Sequence, residues 1–216
     1  MEHSFWHERW NEDRTAFHQA DVDALLLLCF DKLSLNKGDR IFVPLCGKTL
    51  DLAWLSAQGC RLVGIELSRK AIEQAFVDMG IEPEISQQGK LTLFQSDGID
   101  LFVGDVFDLT ADALGQVDAI YDRAALVALP HEMRIDYAPH MAKITGSARQ
   151  LLLTFVYDQA EMDGPPFAVD GDGVDALYGA WYRRKLGASK PITGSLAERC
   201  TGTESAWLLE PLGQSS

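Results

Sequence analysis

The stretch "RIFVPLCGKTLDLAWLSAQGCRLVGIEL", Arg40 to Leu67, decides how the chain folds. It opens on an apolar run, "RIFVPL", and passes through a short loop. A helical segment follows from about Thr49 to Gln58 and is ended by Gly59. A second apolar run, "RLVGIEL", closes on an acid, Glu66. Strand, loop, helix and strand in this order make a βαβ unit, the outline of a nucleotide-type cofactor site. The first loop holds one glycine, Gly47, where such sites usually hold two or three.

That glycine count separates cofactors. A pyrophosphate must come close to the backbone, and several glycines permit the approach. One glycine argues against NAD or FAD. Lys48 does not create a phosphate loop, because the G-x-x-x-x-G-K pattern is absent. S-Adenosylmethionine asks for less: it carries adenosine, a sulfonium and an amino-acid tail. Pro44, Leu45, Cys46 and Gly47 can line that tail with backbone groups. Glu66 stands 19 positions after Gly47 (66 − 47 = 19). A carboxylate at a strand end accepts both hydrogen bonds from a ribose diol. An acid that merely ends a strand is the plain alternative.

Outward from this unit the same alternation continues. Upstream, Asp21 can cap a helix through about Leu33, and "NKGD" turns the chain. Downstream, Ser68 caps a helix from Arg69 to Met79, which Gly80 ends. "KLTLFQS" and "IDLFVGDVFDL" read as a hairpin around "SDG". "VDAIYDR" is a strand, followed by a turn at Pro130 and a helix to about Ile144. "RQLLLTFVYD" is a long apolar strand, and a Gly-, Pro- and Asp-rich loop follows it. The spacing predicts a helix from about Val174 to Leu186, then two short strands near Glu198 and around "SAWLLEPL". Strands alternating with helices predict an α/β fold with a mostly parallel sheet and helices on both faces. One domain is expected over residues 1–216.

In such sheets ligands bind beyond the carboxyl ends of the strands. This directs attention to Asp105, with Val106 and Phe107 as walls for an adenine. The alternative is an Asp turn with Phe107 in the core. Asp122 and Arg123 end the next strand. Arg123 keeps its proton and supplies fixed positive charge, to orient a cofactor carboxylate or an anionic nucleophile. A structural ion pair is the alternative there.

Composition narrows the partners. The chain has 216 residues, 47% hydrophobic and 24% charged, with a net charge of −13. Its pI of about 4.7 disfavours a nucleic-acid partner. No apolar run reaches the ~18 residues of a membrane span, and the polar start, "MEHSFWHERWNEDR", has no signal-peptide core. A cytoplasmic monomer is expected. Cys29, Cys46, Cys60 and Cys200 form no CxxC pair and read as reduced thiols. His3 and His7 lack the order of a zinc motif, so no metal site is expected. Cys46 has no histidine spaced to activate it and reads as a packing thiol.

The combination "FWHERW…TAFHQ", "VPLCGKTLDLAWL", "VGIELS", "FDL", "YDRAALVALP" and "GPPF" resembles the bacterial thiopurine S-methyltransferases, from Phe5 to about Leu209. The resemblance implies a Rossmann-like class I S-adenosylmethionine-dependent methyltransferase fold, with a seven-stranded sheet and a reversed last hairpin. It implies S-adenosylmethionine as methyl donor and an aromatic or heterocyclic thiol as acceptor. Selenium and tellurium methylation is a further implication. By motif match the cofactor contacts are Trp10, Leu45, Glu66, Asp105, Val106 and Arg123, with Arg123 also the candidate catalytic residue. Phe17 falls where the family covers the acceptor pocket, and residues 1–20 would form a lid. The family commonly carries serine where this chain has Asp105, which implies a backbone contact there. An NAD-type oxidoreductase and a non-catalytic cofactor-binding protein are the competing functions.

Overall fold

The computed structural model describes residues 6, 8–10, 12 and 21–213. They divide into two compact units, residues 1–23 with 35–118, and residues 24–34 with 119–216.

In the first unit, β1 (Arg40–Pro44) and β2 (Arg61–Glu66) are parallel, with Arg40 opposite Arg61 and Pro44 opposite Ile65. The Leu50–Ala57 helix connects them, and the Thr49 side chain caps its first turn. β2 leads into the Arg69–Met79 helix, capped by Ser68 and ended by Gly80 in the left-handed region. Three strands follow: β3 (Glu84–Gln88), β4 (Leu91–Ser96) and β5 (Ile99–Val103). β5 lies parallel to β2, while β3–β4 and β4–β5 are antiparallel. The order in this unit is β3-β4-β5-β2-β1. β1 and β2 are apolar and buried along nearly their whole length, as strands covered on both faces must be.

In the second unit, β6 (Ala119–Asp122) is parallel to β7 (Arg149–Tyr157). The His131–Ile144 helix connects them after Pro130. β9 (Gly202–Pro211) runs antiparallel to β7, and β8 (Tyr182–Pro191) antiparallel to β9, in the order β6-β7-β9-β8. The Trp207 indole N–H donates to the Thr154 hydroxyl at 2.7 Å, pinning β9 to β7 in a buried setting.

β1, β2, β5, β6, β7, β8 and β9 make up the seven strands of the class I fold. β3 and β4 add a hairpin. The hairpin around "SDG" is present as β4–β5, and β7 and the Arg69–Met79 helix match their expected spans. The C-terminal third differs. The helix covers Gly171–Tyr178 only, and the residues expected to continue it form β8. At its end a β-carbon on Gly179 would stand 2.5 Å from the Asp175 carbonyl oxygen, so a side chain does not fit there. "YRRKL" is acceptable to a helix, but pairing along all of β9 overrides that local preference. Of the two short strands expected, the one around "SAWLLEPL" is present as the ten-residue β9, whereas Glu198 lies in a turn before it and forms no strand. β3, "EISQQ", was not expected from the sequence: it is exposed throughout, polar but for Ile85, and carries no alternation.

Candidate functional site

The first unit gathers its candidate residues around the carboxyl ends of β1 and β2. The chain leaves β1 at Leu45 with φ 46° and reaches Gly47 with φ 53°. A left-handed turn at a bulky leucine is strained, and such strain concentrates at ligand sites. The Cys46 amide donates to the Ile65 carbonyl at 3.0 Å, folding the loop back over β2. Gly64 makes room for it: a β-carbon there would stand 3.0 Å from the Cys46 sulfur and 2.8 Å from Leu101 Cδ2.

Glu66 is 7% exposed and binds the loop it faces. Its Oε2 accepts from the Gly47 amide at 3.0 Å, and its Oε1 from the Ser68 amide at 2.9 Å. Burial raises its pKa, and the amides of Ser68, Gly47 and Leu67 oppose the rise. A carboxylate has about four lone-pair positions. The Gly47 and Ser68 amides take one on each oxygen, which leaves each oxygen able to accept from a hydroxyl. Burial also pushes the Cys46 thiol well up, and the Glu66 charge adds to the rise. Cys46 is therefore held as the neutral thiol, the inert form.

Trp10 is 2% exposed and covers Gly47. A β-carbon on Gly47 would lie 3.2 Å from its Cζ2. The Lys70 ammonium donates to the Trp10 carbonyl at 3.0 Å, tying the N-terminal segment to the Arg69–Met79 helix. The Gly104 amide donates to the Glu66 carbonyl at 3.0 Å, which brings the loop after β5 to the same place. There Asp105 accepts from the Phe107 amide at 3.0 Å and caps the Val106–Asp108 turn, with Val106 buried. The Asp105 side chain thus serves its own turn. Trp10, Leu45, Glu66, Asp105 and Val106 all stand in this first unit.

These residues fit a sulfonium cofactor better than a dinucleotide. The one glycine of the loop is covered by an indole, where a pyrophosphate would need bare backbone. The buried carboxylate, the apolar Val106 and the backbone of Leu45–Gly47 suit a ribose, an adenine and an amino-acid tail.

Arg123 belongs to the second unit, half-buried at the end of β6, and Ala124 after it has φ 61°. Asp122 is fully buried beneath this turn. Its Oδ1 accepts from the Leu126 amide at 3.1 Å and its Oδ2 from the Tyr137 hydroxyl at 2.9 Å. Burial pushes Asp122 up to about 6, against these hydrogen bonds. Phe17, His3 and His7 lie outside the described residues. Lys70 and Tyr137 carry no sequence signal: each meets its partner only in the fold, Lys70 from 60 positions away and Tyr137 from 15.

Comparison with known proteins bears on the family and the fold. The family model described as Thiopurine S-methyltransferase (TPMT) matches residues 1–202. The thiopurine S-methyltransferase of Xanthobacter autotrophicus is 48% identical over 211 residues, covering 97% of this chain and 99% of its own. That of Gluconobacter oxydans is 43% identical over 212 residues, covering 98% and 96%. Among solved structures, the N-methyltransferase NodS from Bradyrhizobium japonicum, in complex with S-adenosyl-L-homocysteine, gives a TM-score of 0.66 at 12% identity. The match covers 95% of this chain and 98% of that one. A TehB-like S-adenosylmethionine-dependent methyltransferase from Corynebacterium glutamicum gives 0.59 at 16%, covering 97% of each. Likeness at such identities speaks to the fold alone. With the family model spanning nearly the whole length and relatives above 40% identity, the chain belongs to the thiopurine S-methyltransferase family.

Proposed function

We propose that this chain transfers the methyl group of S-adenosylmethionine to the sulfur of thiopurines or related aromatic and heterocyclic thiols. The observation that carries the reading is the single-glycine turn of a family member, bonded to the buried Glu66 and covered by Trp10. Bound S-adenosylmethionine supplies an electrophilic methyl group on its sulfonium. Glu66 accepts the ribose hydroxyls, Val106 packs on the adenine, and the backbone of Leu45–Gly47 and of Asp105 completes the cradle. Trp10, and Phe17 beyond it in sequence, exclude water.

The chain chiefly supplies alignment for in-line attack. A thiopurine sulfur is substantially anionic near neutral pH, so no strong base is needed. Arg123 orients the anion or the cofactor carboxylate with a charge that does not titrate. It must not hold the thiolate too tightly, because the charge is neutralised in the transition state. Arg123 is thus a group that positions rather than an acid or base. Selenols, whose anions are still softer nucleophiles, belong to the same acceptor class. A net charge of −13 disfavours a nucleic-acid partner and keeps copies of the chain apart, which supports a monomer. Among the described residues no helix is long and apolar enough to cross a membrane.

The test is calorimetric titration with S-adenosylmethionine and, separately, NAD, then methyl transfer to 6-mercaptopurine. Binding of the sulfonium cofactor with turnover is expected. Arg123→Ala is expected to lower kcat/KM by roughly 100-fold, the range of a misplaced reactant, while the protein stays folded by circular dichroism. An unchanged rate removes Arg123 from the mechanism. Binding of NAD alone would point to an oxidoreductase, and cofactor binding without turnover on any thiol or selenol to a non-catalytic protein.

A further inference from the structure

β6 and β7 are parallel neighbours, and both release the chain at their carboxyl ends, where such sheets bind ligands. From β6 come Arg123 and the Leu126–Ala128 turn. From β7 comes a long loop containing Gly164–Phe167. The Phe167 amide donates to the Val127 carbonyl at 2.7 Å, so the loop rests on the turn that follows Arg123. Its base is closed from the other side. The Tyr157 hydroxyl donates to the Pro166 carbonyl at 2.6 Å, and Gln159 accepts from the Ala168 amide at 2.8 Å.

Arg134, from the His131–Ile144 helix, sits between the two segments and is 7% exposed. Its Nε donates to the Leu129 carbonyl at 2.7 Å, just after the turn. Its Nη1 donates to the Ala168 carbonyl at 3.4 Å, just after the loop. The guanidinium lies over the Phe167 ring, 5.2 Å from its centroid. Among the described residues no carboxylate pairs with it, and burial lowers its pKa. A buried cation held by carbonyls and one ring is a poor device for stability alone. It is a good device for fixing two backbones, because a planar fork reaches both at once and stacks on the ring between them.

Resting on the methyl-transfer reading above, we propose that Arg134 is a positioning residue for the methyl acceptor: it fastens the Gly164–Phe167 loop to the turn that follows Arg123, and so sets acceptor binding without acting on the cofactor. The residues assigned to adenosine recognition all lie in the other unit, and of the two roles open to Arg123 the proposal takes the acceptor anion rather than the cofactor carboxylate, so the two affinities separate in an experiment.

Arg134→Met and Arg134→Lys are compared with wild type. The readouts are KM and kcat for 6-mercaptopurine and the calorimetric Kd of S-adenosylhomocysteine. The acceptor KM is expected to rise at least tenfold in the Met variant, with the Kd of S-adenosylhomocysteine unchanged within twofold. Lysine should recover only part of the loss, because it lacks the fork. If the Met variant does not fold, Phe167→Leu keeps the arginine and removes the stack, and the same KM-selective loss is expected. Cofactor affinity falling in step with the acceptor, or an unchanged acceptor KM in a folded variant, overturns the proposal. Wild-type protein that binds S-adenosylhomocysteine but methylates no thiol or selenol overturns the functional reading itself, and the acceptor role with it.

Discussion

At Gly47 two demands meet on one residue. The turn needs φ 53°, and the Trp10 ring needs the space a β-carbon would fill. Gly47→Ala is therefore expected to destabilise the fold by about 1–2 kcal/mol, from backbone strain alone, and to push Trp10 off the turn. Urea unfolding measures the first effect and cofactor titration the second; a variant matching wild type in both would strip the turn of its importance. Asp122 makes a prediction of the opposite kind. Burial lifts it from 3.8 to about 6. Its neighbours are the Leu126 and Ala125 amides, the hydroxyl of Tyr137 and, farther off, Tyr178. The folded chain holds a proton there that the unfolded chain has already released. Its contribution to stability therefore falls as pH rises through the window between these values. The shift corresponds to an upper limit of roughly 3 kcal/mol. Asp122→Asn abolishes the titration. From about pH 4 to pH 7 the wild type should lose stability relative to the Asn variant by up to that amount in urea unfolding. A difference that stays flat shows that Asp122 does not titrate in this window.

Among elements, the Arg69–Met79 helix shows how a local signal is shared with the site. The Ser68 hydroxyl caps the helix by accepting from the Ala71 amide at 3.3 Å, while the Ser68 amide donates to Glu66. Only the first bond uses the side chain. Ser68→Ala should cost about 1 kcal/mol of stability, the usual worth of a cap, and leave S-adenosylmethionine affinity within about threefold. A larger loss of affinity would mean that the cap itself orders Glu66. β8 is the contrasting case, an edge strand whose structure comes from its partner. Arg184 pairs with Asp175 at 2.7 Å and lies 4.7 Å from the Trp207 ring centroid. The register shift between Leu186 and Ala188 falls at Gly187, where a β-carbon would stand 3.1 Å from the Cys29 sulfur.

Over the whole molecule, a ligand bound only by the folded chain raises its stability by mass action. At a free S-adenosylmethionine concentration 100 times Kd the gain is about 2.7 kcal/mol. For a chain of this size that is a rise in Tm of roughly 5–10 °C. NAD at the same concentration is expected to leave Tm unchanged, and differential scanning calorimetry of the full chain distinguishes the two. A shift with NAD alone would reverse the reading of the single-glycine loop.

The sequence by itself determined what is local or periodic. β1 and β2 are apolar runs, the helix at Leu50 is bounded by Gly59 and that at Arg69 announced by the Ser68 cap, and Glu66 falls at a strand end fixed by that alternation. Motifs carried the family. Only the tertiary structure decided β8 and the full length of β9, because these depend on pairing along whole strands rather than on their own residues. It alone placed Trp10 over Gly47, Tyr137 on Asp122 and Arg134 between the turn and the loop. Contacts of this kind join residues far apart in the chain, and no spacing in the sequence marks which of many similar side chains will meet.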